Sequence, residues 1–135
     1  MNYLLDTNII IFFFKGKFGI DEKIASIASI ASGNCYISEI TLAELKYGAF
    51  SSSNPEKHLR QINQFVEMVK VLPITAAIDQ FAKEKARLRK DGKLIDDFDL
   101  LIGCTAIINE LILVTNNTKH FTRLQDIELE DWTTN

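Results

Sequence analysis

The chain opens with Met1-Asn2-Tyr3-Leu4-Leu5-Asp6-Thr7-Asn8, where a short apolar run ends abruptly at an acid. The apolar run predicts a buried strand over residues 1–6. The polar stop after it favours the start of a helix over a longer strand. We therefore expect a helix over residues 8–15, although its β-branched and aromatic side chains would also suit a strand.

The same alternation of short strands and helices continues along the chain. Turn residues such as Gly33-Asn34 separate the elements, and Pro73 indicates an edge strand. Strands are expected over 35–37, 71–74, 111–114 and 127–129. Helices are expected over 20–31, from Ser38 to about 50, from 55 to 69, from Thr75 to 91, from Asp96 or Asp97 to 109, and as a short turn over 119–121. This order predicts βαβ units, an α/β fold and a mainly parallel sheet.

Composition narrows the class of protein. The chain has 135 residues, 47% of them apolar, which suits one globular domain over 1–135 and excludes a disordered chain. The net charge of −3 argues against a general nucleic-acid coat protein. Cys35 and Cys104 lie among apolar residues and are expected to be reduced thiols. With no secretory signal and no apolar run long enough for a membrane span, we expect a cytoplasmic protein.

Four acids stand beside residues that should form the core: Asp6, Glu44, Asp97 and Asp99. Burying an unpaired charge is costly, so such carboxylates must be hydrogen-bonded, neutralised or bound to a cation. Asp6 follows a strand and the others lie in helices that begin on the same sheet edge. Several carboxylates at the carboxyl edge of a parallel sheet indicate a divalent metal and phosphodiester chemistry.

Each of these acids also has a structural interpretation. Asp6 could simply cap the helix that follows it. Glu44 fits a capping box with Thr41 if the helix begins there, whereas a start at Ser38 leaves Glu44 free to face a cation. These two alternatives for Glu44 remain open on spacing alone.

The third acidic stretch contains Asp96, Asp97 and Asp99. One carboxylate is enough to cap a helix, and the crowding of the others is unfavourable without a cation. Because Asp99 leads directly into an apolar helix, we rank it above Asp97 and Asp96 as a metal ligand.

Taken together, the motifs resemble those of PIN-domain ribonucleases, in particular the VapC-type toxins of toxin–antitoxin pairs. The resemblance covers essentially the whole chain, and the order and spacing of the stretches make it specific. The matching stretches are Tyr3-Leu4-Leu5-Asp6-Thr7-Asn8-Ile9, Ile40-Thr41-Leu42-Ala43-Glu44-Leu45-x-x-Gly48-Ala49, Gly92-x-x-Ile95-x-x-x-Asp99-Leu100-Leu101-Ile102, Leu113-Val114-Thr115-Asn116-Asn117-x-x-x-Phe121 and Glu130-Asp131-Trp132.

The resemblance implies a three-layer α/β/α fold and a set of site residues. Asp6, Glu44 and Asp99 correspond to the core acids of the family, which act as catalytic residues and ligands of Mg²⁺ or Mn²⁺. The fourth acidic position of many members is Asn117 here, and one hypothesis is that Asp97 supplies the missing charge. Auxiliary roles are expected for two hydroxyls, those of Thr7 and Thr115.

The resemblance also implies an activity and partners. The activity is endonucleolytic cleavage of RNA, a tRNA or an mRNA, that leaves a 5′-phosphate and inhibits translation and growth. The partners are a cognate antitoxin, with a segment that docks near the first helix, and a second copy in a homodimer. The alternatives are a related metal-dependent DNA nuclease and a degenerate, non-catalytic RNA-binding or regulatory module.

A basic segment over residues 83–93 leads to the acidic stretch. Its cations are candidates for contacts with RNA phosphates, although such a run is also typical of a solvated helix face. Further cations could extend this basic surface, namely Lys46, Lys119 and Arg123. The two histidines lack the spacing of zinc ligands. The candidate RNA contacts are Lys85, Arg87, Arg89 and Lys93.

Overall fold

The structure is a computed structural model that describes residues 1–30 and 34–134. Its centre is a five-stranded sheet in the order β3-β2-β1-β4-β5, in which all neighbouring strands are parallel. The strands are β1 (Tyr3–Leu5), β2 (Cys35–Ser38), β3 (Lys70–Leu72), β4 (Ile112–Val114) and β5 (Glu128–Glu130). The parallel sheet and the edge position of β3 are therefore confirmed.

The first strand lies at the middle of the sheet because both of its faces are apolar. Leu4 and Leu5 are fully buried, and they belong to the two separate core clusters on opposite faces of the sheet. Successive side chains of a strand point to opposite faces, so both faces of β1 must be covered. Tyr3 is in register with Cys35 on one side and Ile112 on the other.

Helices cover the two faces and complete a three-layer α/β/α fold. The described helices are α1 (Thr7–Phe14), α2 (Ile20–Ile30), α3 (Glu39–Phe50), α4 (Pro55–Val66), α5 (Ile78–Lys90), α6 (Asp97–Ile108) and α7 (Thr118–Phe121). One core cluster contains buried side chains of α1 to α4, and the other those of α5 to α7. The α/β/α prediction is confirmed.

The largest difference from the predicted elements lies after β3. Thr75 was expected to cap a helix, but it begins a short 3-10 turn over Thr75–Ala77. The N-cap of α5 is Ala77, which offers no side-chain oxygen. The 3-10 turn carries Ala77 into the core, where it is fully buried, before α5 begins. Two parts of the sequence predictions, the helix end at Ala31 and the turn at Gly33, lie outside the described residues.

Both cysteines are free and buried, as the sequence predicts. Burial raises the pKa of Cys35 to about 11 and that of Cys104 to about 12, so neither thiol is a nucleophile at neutral pH. None of the helices in the described ranges has the length and apolar character needed to cross a membrane.

Two helical glycines give a test of the packing. A side chain at Gly103 in α6 would collide with Leu124 and approach Phe121, whereas Gly48 in α3 faces open space. We expect Gly103→Val to lower the free energy of unfolding by about 1–3 kcal/mol through overpacking. Gly48→Ala should raise it by about 1 kcal/mol, because alanine favours the helix. Urea titrations of both variants measure the changes, and a stabilised Gly103→Val would contradict the close packing of α6 on this segment.

Candidate active site

Asp6 lies at the carboxyl end of the central strand and is 5% exposed. Its Oδ1 accepts a hydrogen bond from the backbone N–H of Thr7 at 2.8 Å, so it does cap α1. Its Oδ2 accepts a hydrogen bond from Thr115 Oγ1 at 2.8 Å. A carboxylate has about four acceptor positions, so these two bonds leave capacity for a further partner.

Glu44 lies inside α3 and not at its start. The helix is capped by Ser38, whose Oγ accepts a hydrogen bond from the N–H of Ile40 at 3.0 Å. This excludes the capping-box interpretation. Thr7 Oγ1 donates a hydrogen bond to Glu44 Oε1 at 2.7 Å and lies 3.1 Å from Thr41 Oγ1.

The third acid, Asp99, lies in the first turn of α6. Asp96 caps this helix by accepting a hydrogen bond from Phe98 N at 3.1 Å, which leaves Asp99 with no capping role. Asp97 makes an ion pair with Lys85, with 3.0 Å between Oδ1 and Nζ. Because Asp97 is held there by a lysine, its position does not favour it as a replacement for the charge that Asn117 lacks.

Asp99 interacts electrostatically with both Asp6 and Glu44. Burial and the negative charges of Asp6, Asp96 and Glu44 raise the pKa of Asp99 to about 6. Burial also raises the pKa of Asp6, against the hydrogen bonds from Thr115 and Thr7. The pKa of Glu44 is raised by burial and by the charges of Asp6 and Asp96, and the bond from Thr7 opposes this. Asp99 therefore experiences Asp6 and Glu44 as like charges, and Glu44 experiences Asp6 in the same way.

No lysine or arginine in the described chain neutralises this cluster. The ion pairs of residues 1–30 and 34–134 are Lys85–Asp97, Arg87–Glu84 and Arg87–Asp91. Nor do three His, Cys, Asp or Glu side chains of these ranges form a ready-made metal shell. Mg²⁺ usually keeps several waters, so it needs few direct protein ligands. By donor type and unbalanced charge, the cluster fits a hard divalent cation.

Asn117, which occupies the fourth acidic position of the family, lies in the turn after β4. Asn117 N donates a hydrogen bond to Thr115 Oγ1 at 2.9 Å, and Thr115 in turn donates to Asp6. The Asn117 amide nitrogen lies 3.0 Å from His120 Nδ1. Thr115 thus links the turn after β4 to the carboxylate at the end of β1.

Two side chains near the cluster, Thr41 and His120, are not among the site residues predicted from the sequence. Thr41 is fully buried and meets Thr7, and His120 meets Asn117. Their helical spacing does offer a clue, because Thr41 lies three residues before Glu44 and His120 three residues after Asn117. Residues three apart share one face of a helix.

Of the four candidate RNA contacts in the basic segment over residues 83–93, two bind acids of the same chain and two have no ion pair in the described ranges. Lys85 pairs with Asp97, and Arg87 makes two hydrogen bonds with Glu84, at 3.1 and 2.7 Å. Arg89 and Lys93 are exposed, and neither side chain has an ion pair within the described ranges.

The raised pKa of Asp99 predicts a pH dependence of stability. Between its ordinary value of 3.8 and about 6, the folded protein retains a proton that the unfolded chain has released. The stability of the metal-free protein should therefore fall as pH rises through this window, and Asp99→Asn should remove part of that fall. Urea titrations in EDTA over this range measure it.

The matched control is Asp21→Asn, which changes an exposed acid in the first turn of α2. It should keep the pH profile of the unchanged protein. An Asp99→Asn protein with that same profile would show that Asp99 ionises freely in the folded chain.

Comparison with known proteins places this geometry in a family. A family model described as a PIN domain matches residues 3–127. Ribonuclease VapC1 of Haemophilus influenzae (strain R2866) is 38% identical over 135 residues, which cover 98% of this chain and 99% of the relative. The tRNA(fMet)-specific endonuclease VapC of Shigella flexneri is 37% identical over 133 residues and 98% of each chain.

A solved structure gives the same result. VapBC2 from Rickettsia felis, bound to a DNA fragment from its promoter, contains a chain that matches with a TM-score of 0.89 and 30% identity. The match covers 98% of this chain and 99% of that one. The resemblance inferred from the motifs is thus confirmed, and the chain belongs to the PIN-domain family, with VapC ribonucleases among its relatives.

Proposed function

We propose that this chain is the toxin of a toxin–antitoxin pair and acts as a metal-dependent endoribonuclease. The observation that carries the proposal is the cluster of Asp6, Glu44 and Asp99, whose pKa values are raised and which no cation of the described chain neutralises. The names of the two relatives support the reaction, because one is a ribonuclease and the other a tRNA endonuclease. Inhibition of translation and growth follows from cleavage of a tRNA or an mRNA.

The residues suited to hold Mg²⁺ or Mn²⁺ are Asp6, Glu44 and Asp99, with Asn117 as an uncharged neighbour. When bound, such an ion lowers the pKa of a bound water and stabilises the charge that develops on the phosphate and the leaving oxygen. The protein supplies fixed oxygen donors that it holds without neutralising them.

Hydroxyl groups fix the orientation of two of the acids. Thr115 and the backbone of Thr7 each bind one oxygen of Asp6. The Thr7 side chain binds only one oxygen of Glu44, so the second oxygen is available to orient the attacking water or accept its proton. Thr7 therefore couples the two acids, since its N–H and its hydroxyl serve different carboxylates.

Outside the carboxylate cluster, the substrate would be contacted by basic side chains that have no ion pair in the described ranges. Arg89 and Lys93 are exposed and without ion pairs in the described ranges, which suits contacts with RNA phosphates. Lys85 and Arg87 already bind acids of the same chain and are weaker candidates.

An antitoxin segment has a groove available near α1. This groove has a volume of about 360 Å³ and runs past Ile11 and Phe14 of α1 and Ile62 of α4 to Glu44. A peptide in the groove would lie against one of the proposed catalytic acids, which is a simple means of inhibition. We also propose a homodimer, a cytoplasmic location and a single domain over 1–135, each of which the resemblance implies.

Cleavage assays test the reaction. We expect the purified protein to cleave RNA but not DNA, EDTA to abolish cleavage, and Mg²⁺ or Mn²⁺ to restore it. Asp6→Asn, Glu44→Gln and Asp99→Asn should each lower kcat by about 10²-fold or more, because each removes a charge that faces the reaction. Growth arrest on expression should disappear in the same variants.

Asp21→Asn is the control and should keep full activity, since this exposed acid lies in the first turn of α2. Cleavage of DNA would favour the DNA nuclease. RNA binding without cleavage under every metal condition would favour the non-catalytic module.

A second test separates Asp96 from Asp97. Asp96 raises the pKa of Asp99 and Glu44, whereas Asp97 is paired with Lys85. Asp96→Asn should therefore raise the Mg²⁺ concentration needed for half-maximal activity severalfold, and Asp97→Asn should change it little. Asparagine caps helices as well as aspartate does, so neither variant disturbs the start of α6. A larger effect of Asp97→Asn would restore Asp97 as the residue that compensates for Asn117.

A further inference from the structure

A second buried acid, Glu84, lies outside the cluster and has a different environment. It is 4% exposed and lies on α5, where Arg87 binds both of its oxygens. The bond with Arg87 lowers the pKa of Glu84, so this pair stays ionised. Buried ion pairs are tolerated when their remaining donors and acceptors are satisfied.

The other hydrogen bonds of the Glu84–Arg87 pair are made with the backbone of one loop, residues 123–125. Glu84 Oε2 accepts from the N–H of Gln125 at 3.2 Å, and Arg87 Nη2 donates to the carbonyl of Arg123 at 2.8 Å. Both partners lie in the segment that follows α7. The pair thereby fixes the backbone of residues 123–125 against α5.

From that fixed backbone, the side chain of Arg123 reaches towards α6. Its Nη1 donates to the carbonyl of Leu94 at 3.2 Å and lies 3.5 Å from that of Lys93. These carbonyls precede Ile95 and then Asp96, the cap of α6, whose first turn contains Asp99. Arg123 therefore holds the chain at the point where the acidic helix begins.

The longer segment that contains Arg123, residues 115–125, also contacts Asp6 and the middle of α6. Thr115 and Asn117, at the start of this stretch, hold Asp6 through the Thr115 hydroxyl. Leu124 packs directly against Gly103 in the middle of α6. Residues 115–125 thus touch Asp6 at one end and the start of α6 at the other.

From these contacts we infer that Arg123 is a positioning residue, which sets the first turn of α6, and so Asp99, relative to Asp6. This inference rests on the proposed function for its catalytic consequence, although the geometry of the metal-free protein tests it separately. It assigns Arg123 to the architecture of the cluster and not to the RNA-binding surface. The carbonyls of Lys93 and Leu94 belong to exposed residues, so water can replace the guanidinium without unfolding the chain.

The test uses the full chain with Arg123→Ala, Arg123→Lys and the control Arg60→Ala. Arg60 is an exposed arginine of α4 without an ion pair in the described ranges. In the metal-free protein, hydrogen exchange of the Leu100 amide reports the first turn of α6, because it donates to Asp96 O at 2.9 Å. We expect faster exchange at this amide in Arg123→Ala, partial recovery in Arg123→Lys and no change in Arg60→Ala.

Metal binding and kinetics provide the second readout. Mn²⁺ affinity, measured by calorimetry without RNA, should fall about tenfold in Arg123→Ala, as for other groups that orient ligands from a distance. kcat should fall with it, while KM for RNA stays close to that of the unchanged protein. Arg123→Lys should recover part of both losses.

Three outcomes would overturn the inference. Unchanged Leu100 exchange and Mn²⁺ affinity would show that Arg123 does not set α6. A rise in KM alone would assign Arg123 to RNA binding. A general loss of protection throughout the sheet in Arg123→Lys as well as Arg123→Ala would make the role purely structural. Failure of the unchanged protein to cleave RNA would instead contradict the proposed function, and the exchange measurement would still decide the role of Arg123.

Discussion

Repulsion between carboxylates at one edge of the sheet is the constraint on which the rest of the site depends. Asp6 cannot move away, because it follows a strand that is buried on both faces and paired on both sides. Asp99 and Glu44 are fixed by the helices that contain them. The sheet and its two apolar layers therefore hold like charges together, and the burial of the core opposes the electrostatic cost.

The choice of hydrogen-bond donor decides what such a cluster can do. Around Asp6 and Glu44 the donors are hydroxyls and a backbone N–H, which orient an oxygen without cancelling its charge. Around Glu84 the donor is a guanidinium, and there the pKa falls. Buried acids thus occur in two environments in this protein. Asp6 and Glu44 keep an unneutralised negative charge, whereas Glu84 is neutralised by Arg87 and the pair holds the loop of residues 123–125.

Much of this arrangement can be predicted from the sequence. Apolar runs that end at polar residues identify β1, β2 and β4, and Ser38 identifies the start of α3. The motifs also predict that Asp6, Glu44 and Asp99 lie at the carboxyl edge of the sheet. What the sequence does not reveal are contacts that depend on side-chain direction. Asp96, Asp97 and Asp99 are neighbours in sequence, but only the folded chain shows that a lysine of α5 binds the middle one.

Two other differences concern Thr75 and Arg123. Thr75 has the side chain of a good cap, but the chain forms a 3-10 turn over Thr75–Ala77 before the helix begins. Arg123 has the charge of a phosphate-binding residue, but the carbonyls that it meets belong to a segment about 30 residues earlier in the chain. The sequence around Arg123 contains no information about those carbonyls.

The bond between Thr115 and Asp6 joins residues 109 positions apart. β4 adds to β1 only after most of the chain has been synthesised, and β5 follows β4 at the sheet edge. A nascent chain on the ribosome therefore carries Asp6 without the hydroxyl that orients it until the last quarter of the protein has emerged. Order of synthesis thus delays assembly of the carboxylate cluster until the C-terminal part of the chain is available to fold onto β1.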